Sequence, residues 1–481
     1  MAEKINNIPT VLVIFGATGD LARRKIFPAL ANLIDRQLIT DGFRLVAFGR
    51  RNFSDDDLRR FVGEAVASGS FRSQTTVKTL LDRASYHHGF FEDLSAYRAL
   101  ADRLGGLDAD VFGRCSNKLF YLAVPPAFYE LIATKLSASG LTIPCSDGEG
   151  WTRVLIEKPF GSDHKSARKL DRLLGTLFRE EQIFRIDHYL AKDTIQNILT
   201  FRFANSLFEP LWNGDHIAKV EINLFESGGI GGRGVLYDHL GALRDVGQNH
   251  LLGMLAAVAM EKPESFDAAS LRPERARVLR KLSAPAAASI GRFVRRGQYE
   301  GYRFETGVAA DSQTETFFRL KAFVASRRWR GVPFILSSGK ALPESRVEIR
   351  IHFKGGESIG GRREAVKTRG NTLTFCIQPE ERVLLRFFVK KPGLSAETVS
   401  EQLSFSYGAG SASAVAAYEK VLFDCFRGDQ TLFSSTEEVE ASWKFVTPIL
   451  ENWRSLPLIS YRPGSEEILR ETEFDWTNEF V

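Results

Sequence analysis

Cysteine is scarce in this chain: 4 residues in 481, at Cys115, Cys145, Cys376 and Cys425. They lie far apart and form no C-x-x-C pair. That pattern reads as reduced thiols in a cytoplasmic protein, with a regulatory disulfide as the alternative. Long apolar runs are absent too. The stretch from Leu251 to Met260 is about half of the ~20 residues that a membrane span needs. The opening "MAEKINNIPT" lacks the apolar core of a signal peptide. No tract interleaves Lys and Arg with aromatics. The net charge of +5 and the pI of about 8.9 favour anionic ligands only mildly. Nucleic acid and membrane are therefore not expected partners. There is no internal repeat and no long low-complexity tract.

The apolar material that is present, 44% of residues against 26% charged, suits a soluble globular protein with a sizeable core. The length suits two or three domains. "VLVIFG" (11–16) is a short apolar run ending in glycine, as a buried parallel strand does. The helical pattern of "DLARRKIFPALANLIDRQ" follows, and Pro28 should kink or restart it. "RLVAFG" (44–49), "KLFYLAVPP" (118–126) and "RVLIEKPFG" (153–161) repeat the strand-then-turn unit, each with a helical pattern behind it. "SDDDLRRFVGEAV" carries acids in its first turn, as a helix start should. Strands alternating with helices imply a parallel sheet covered on both faces.

After residue 186 the pattern changes. "AKVEINLFES" reads as a strand and "LGALRDVGQNHLLGMLAAVAM" as one long helix. Four strand-like runs then follow one another: "ETFFRLKAFV", "RVEIRIHF", "TLTFCIQ" and "RVLLRFFV". Helices return at 413–427 and 436–453, and "SAPAAASIG" (283–291) reads as a loop or weak helix. The expected fold is an α/β, Rossmann-like dinucleotide-binding domain over residues 1–186. An α+β domain with a large, mostly antiparallel sheet is expected over 187–481.

"FGATGDLA" lies between the first strand and first helix. Gly16 and Gly19 let the backbone turn tightly toward a pyrophosphate, and the new helix's N–H groups favour the anion. The spacing Gly-x-x-Gly-x-x-Ala also fits a purely structural turn. At the end of the second strand stand Arg50 and Arg51, where an NAD site usually has an acid. Arginine matches a 2′-phosphate, so NADP is the expected cofactor, with NAD a weaker alternative. The other reading is a solvated arginine pair. No metal site is expected.

Histidines number only 8. His250, in "RDVGQNHLL", sits on a mostly apolar helix, where a core role is the ordinary reading. Asp245 precedes it by five residues, and "RIDHYLAK" offers Asp187 and His188 at the domain junction. An alcohol losing hydride needs a base for its proton, and imidazole suits that task. A carboxylate behind the ring fixes its tautomer.

"GATGDLARRK", "EKPFG", "RIDHYLAK", "RDVGQNHLL", "RWRGVPFILSSGKAL" and "IQPEE", in this order from about Val11 to Trp453, resemble glucose-6-phosphate dehydrogenases. The resemblance implies oxidation of glucose 6-phosphate to 6-phosphogluconolactone with NADP, opening the oxidative pentose phosphate pathway. It also implies a homodimer or homotetramer built through the large sheet. By motif it makes His250 the base and Asp187 its partner, with His188, Tyr189 and Lys192 on the substrate phosphate. Lys158 falls between sugar and nicotinamide, and Pro159 is expected to be cis. Glu226 and Asp245 take sugar hydroxyls, and Lys340 and Gln378 complete the pocket. Gly16, Thr18, Gly19, Asp20, Leu21, Arg50 and Tyr121 go to the coenzyme site, which Lys158 shares.

Four positions depart from the family pattern. Ala191 replaces a usual glycine, and a helix starting there would make it harmless. Asp193 replaces a frequent Glu. Ser345 stands where a basic residue often contacts substrate, with Arg346 one residue later. Ser337 replaces an arginine that helps some relatives hold a second, structural NADP, so none is expected here. Two rival readings are a dehydrogenase of similar fold acting on another hexose or hexose 6-phosphate, and a catalytically weak NADP-binding paralogue.

Overall fold

The structure is a computed structural model and describes residues 8–39, 41–67, 73–145, 150–187, 189–355, 370–394, 398–406 and 415–474. Six strands form the first sheet in the order β6-β5-β4-β1-β2-β3: β1 (Thr10–Phe15), β2 (Phe43–Gly49), β3 (Ala84–His88), β4 (Asn117–Leu122), β5 (Thr152–Ile156) and β6 (Ile183–Ile186). All their pairings are parallel. β1 is buried along its whole length. Its side chains alternate between two cores: Val11, Val13 and Phe15 on one face, Leu12 and Ile14 on the other. A strand covered on both faces has no polar side, which is why it reads as an unbroken apolar run.

The helix after β1 restarts at its proline. Residues Ala22–Ile26 form a wide π-turn, and Phe27–Asp35 continues as an α-helix with proline in its first turn. Pro28 lacks an N–H, and that position needs none.

The second sheet has nine strands in the order β14-β13-β12-β11-β7-β10-β9-β8-β16. They are β7 (Ile217–Phe225), β8 (Val294–Tyr299), β9 (Phe317–Phe323), β10 (Pro333–Gly339), β11 (Arg346–Phe353), β12 (Thr372–Gln378), β13 (Arg382–Lys390), β14 (Thr398–Ser406) and β16 (Leu458–Tyr461). Among the described residues, only β7/β10 and β8/β16 of this sheet pair in parallel. Odd-numbered residues of β11 and β12, such as Ile349, Ile351, Phe375 and Ile377, enter the core. Even-numbered Arg350, His352, Thr374 and Arg386 line an open groove of about 710 Å³ on the other face. This is the two-residue period of a half-buried sheet.

The chain then returns to the first sheet. β15 (Phe433–Ser434) adds antiparallel to β6. The helix Ala417–Arg427 buries Val421, Leu422 and Cys425 in the core beneath β1 and β2.

Two expectations are corrected here. Cys115 and Cys145 are not separate thiols. They form a disulfide with Cα atoms 6.2 Å apart, while Cys376 and Cys425 remain free. Thirty residues separate the pair in sequence, but Cys115 leads into β4 and Cys145 follows the helix that crosses back from it, so both arrive at the same edge. Cysteine usage therefore gives no support to a reducing compartment. The second correction is Ala191, which starts no helix. The helix is Asp193–Phe203, and Lys192 caps it in extended conformation (φ −75°, ψ 137°), leaving Ala191 in the turn before. Among the described residues, only Gln37 and Ala341 have positive φ without being glycine, so position 191 requires no glycine. No helix among the described residues is long and apolar enough to cross a membrane.

Candidate active site

The junction between the sheets gathers the sequence-nominated residues. Asp187 follows β6 directly. His250 lies on the helix that begins with the π-helical stretch Leu243–Leu251 and continues as Leu252–Ala259. Folding brings the His250 Nδ1 to 2.6 Å from the Asp187 Oδ1, with both residues almost fully buried at 2% and 3% exposure. Donation from Nδ1–H to the carboxylate selects the tautomer whose Nε2 carries the basic lone pair. Burial lowers the imidazole pKa below its ordinary value, Asp187 opposes that, and Lys158 adds to it. The result is a neutral imidazole backed by a carboxylate.

Lys158 comes from the turn after β5, where the Lys158–Pro159 bond is cis as expected. Its Nζ donates to the Asp245 main-chain oxygen at 2.7 Å and lies 3.3 Å from Oδ1. Burial pushes the Asp245 carboxyl up, but Lys158 and Lys340 outweigh it and the pKa falls below the ordinary value. Asp245 is therefore a charged acceptor in the site. Lys340, 2% exposed, pairs with Glu226 at the site's other wall.

The third wall is the turn after Asp187. The Tyr189 ring lies 4.3 Å from the His250 ring, and its hydroxyl donates to the Gln378 Oε1 at 3.4 Å. The Lys192 ammonium sits 4.8 Å from the Tyr189 ring centroid. Burial lowers its pKa to about 8, with Glu381 opposing. An ammonium held in so dry a place favours an anion beside it. His188 lies outside the described residues.

The glycine turn forms after β1. Gly16 has φ +80°, and a β-carbon there would lie 2.5 Å from the Ala123 main-chain oxygen, so the turn admits only glycine. Gly19 donates its N–H to the Gly16 oxygen and accepts from Arg23. Thr18 and Leu21 are half-buried, Gly19 is exposed, and exposed Asp20 pairs with Arg24. Arg50 and Arg51 are exposed at the end of β2.

Tyr121 is a correction. It is fully buried in β4, and its hydroxyl donates to the Glu157 Oε1 at 2.6 Å. It offers a dinucleotide no surface. It supports Glu157, which precedes Lys158 and also accepts from Tyr418, while Tyr129 donates to the Glu157 main-chain oxygen. Ser345 also turns away from a ligand role, accepting from the Ser227 N–H at 2.9 Å, and Arg346 pairs with Glu344 and Glu348. Ser337 is buried and accepts from Arg319.

Sequence reasoning missed three supports. Glu157 was signalled only by its place in "EKPFG". Glu381, which also accepts from Thr194 at 2.9 Å, follows Gln378 in "IQPEE". Arg244 donates to the Ser162 main-chain oxygen at 3.0 Å and ties the His250 helix to the loop after Lys158.

Comparison with known proteins is consistent from end to end. Residues 13–197 match the model for the glucose-6-phosphate dehydrogenase NAD binding domain, and residues 199–474 the model for its C-terminal domain. The chain is 40% identical to glucose-6-phosphate 1-dehydrogenase 2 of Mycobacterium tuberculosis, covering 97% of this chain and 94% of that one. It is 36% identical to a cytoplasmic isoform of glucose-6-phosphate 1-dehydrogenase from Solanum tuberosum, over 99% and 95%. A solved glucose-6-phosphate dehydrogenase in complex with its substrate superposes with a TM-score of 0.89 at 34% identity, covering 98% of each chain. The enzyme from Mycobacterium avium gives 0.84 at 32%, over 98% and 99%.

Proposed function

The chain belongs to the glucose-6-phosphate dehydrogenase family, and on that premise we propose how its residues divide the work. The reaction is oxidation of glucose 6-phosphate at C1 to 6-phosphoglucono-1,5-lactone with NADP, the first step of the oxidative pentose phosphate pathway. Bound NADP supplies the hydride acceptor.

The observation that carries the assignment is the buried His250–Asp187 pair. The His250 Nε2 takes the proton of the C1 hydroxyl as that carbon is oxidised, and Asp187 stabilises the imidazolium that forms. Asp245 and Glu226 accept from sugar hydroxyls; Lys158 and Lys340 hold the Asp245 carboxylate charged, and Lys340 pairs with Glu226. Lys192, Tyr189 and His188 grip the phosphate, with Gln378 beside Tyr189. Because the phosphate is remote from C1, its binding energy can orient C1 without touching the chemistry. The dinucleotide fits the turn Gly16–Leu21, where Gly16 clears the backbone and the helix N–H groups face an anion. Arg50 would take the 2′-phosphate.

We assign residues 1–186 to coenzyme binding and 187–481 to substrate binding and assembly. The open groove of the nine-stranded sheet, rich in Arg350, His352 and Arg386, is the face we propose for a homodimer or homotetramer. A cytoplasmic location fits a phosphorylated substrate whose charge bars it from crossing a bilayer unaided.

The test is Lys192→Ala assayed on glucose 6-phosphate and on free glucose. Loss of a charge-assisted contact worth ~1.5–3 kcal/mol should raise KM for glucose 6-phosphate by roughly 10- to 100-fold and leave free-glucose oxidation unchanged. An equal loss on both sugars removes Lys192 from the phosphate site.

A further inference from the structure

One buried carboxylate has no part in the chemistry above. Glu315 lies just ahead of β9 and is 3% exposed. Its Oε1 accepts from the main-chain N–H of Leu243 at 3.0 Å, and its Oε2 from the indole N–H of Trp453 at 3.0 Å. Its main-chain oxygen accepts from the Ala242 N–H at 3.1 Å. Leu243 is the first residue of the π-helical stretch that carries Asp245 and His250. An acceptor at that end satisfies an N–H left over by the helix, and burial pushes the Glu315 carboxyl pKa up.

The turn entering this helix is shaped around the same group. Gly241 has φ +72°, and a β-carbon there would lie 2.3 Å from the Glu315 Oε1. Thr316, the next residue, accepts from the Lys340 main-chain N–H at 2.9 Å. Its hydroxyl meets that of Tyr461, which in turn donates to the Lys340 main-chain oxygen at 2.7 Å. Two adjacent residues thus hold the start of the helix bearing the base and the backbone of a lysine in the sugar pocket. On the far side, Arg244 fastens the helix to the Ser162 carbonyl.

We propose that Glu315 is a positioning residue for the dehydrogenation. By fixing the start of the Leu243–Leu251 helix it sets where Asp245 and His250 stand relative to Lys158 and Lys340. This rests on the assignment of His250 as the base. Glu315 touches neither sugar nor coenzyme, so it acts through geometry alone. A misplacement of about 1 Å in such a frame can cost ~100-fold in rate.

Glu315→Gln preserves shape but supplies one acceptor and an NH₂ group, so one of the two N–H donors faces another donor. Initial rates with glucose 6-phosphate, and with the same sugar deuterated at C1, read the effect. The expected result is a fall in kcat of about 10- to 100-fold with KM for NADP unchanged, and a larger deuterium effect on kcat/KM because hydride transfer has become slower. Trp453→Phe removes only the donor to Oε2 and should keep both kcat and the isotope effect near wild type. A Glu315→Gln enzyme with wild-type kcat overturns the proposal. So does a loss of kcat with an unchanged isotope effect, which reports fewer folded molecules, and so does Trp453→Phe matching Glu315→Gln. His250→Asn assayed in parallel separates the readings: if it stays active the base assignment fails, whatever Glu315 does.

Discussion

At the scale of single residues, burial decides which protonation state each group offers. His250 is shielded from water, and that cost falls on the charged imidazolium, so its pKa drops below the ordinary ~6.5. A base must be neutral to accept a proton. The kcat/KM profile should therefore be flat through neutrality and fall about tenfold per pH unit only below the depressed pKa, a limb that Asp187→Asn should alter. An acid limb centred above 7 would contradict the assignment. The stability sign follows from the same shift. The unfolded chain binds this proton more readily, so the contribution is fully present above ~6.5 and is lost as pH falls through the folded value. Alanine tells a second residue-scale story. The sequence drew attention to Ala191, but it is Ala341, beside Lys340, that occupies the left-handed region at φ +52°. Nothing in "SSGKAL" marks that position, because its partners are loops from elsewhere in the chain: Ala341 donates to the Gly228 oxygen and accepts from the Gly464 N–H.

At the scale of elements, the helix carrying His250, the proposed base, is wound more loosely than its sequence pattern suggests. In an α-helix, residues five apart point about 140° away from each other. In the π-helical stretch Leu243–Leu251, i→i+5 bonding brings Asp245 and His250 toward one face, as bulged helices do at functional sites. The apolar periodicity of "LGALRDVGQNHLLGMLAAVAM" revealed the helix but not its winding, because winding depends on groups from elsewhere in the chain. The disulfide was hidden for a related reason, since pairing Cys115 with Cys145 depends on where two loops meet. A 30-residue separation predicts a stabilisation of about 3–4 kcal/mol from the loop it closes. Cys115→Ser should therefore lower the melting temperature clearly while kcat at 25 °C stays near wild type. An unchanged melting temperature would mean the bond does not form in the purified protein.

At the scale of the whole molecule, the parallel first sheet and the mostly antiparallel second one were legible because each imposes its own period: unbroken apolar runs in β1 and β4, alternation in β11 and β12. The return of Ala417–Arg427 and β15 to the first sheet was not legible, since that helix looks the same whichever core receives it. The site was legible as a set of motifs and opaque as an arrangement. Asp187 and His250 are 63 residues apart and meet only when the two halves close. Tyr121 shows the converse, a motif residue that folding turns inward. We propose that this closure builds the base. It is tested most directly by kcat and glucose 6-phosphate affinity of His250→Asn. If His250 is the base, kcat falls by several orders of magnitude, on the scale of ~10³-fold or more, with affinity nearly intact. Retained kcat with a large rise in KM would contradict it.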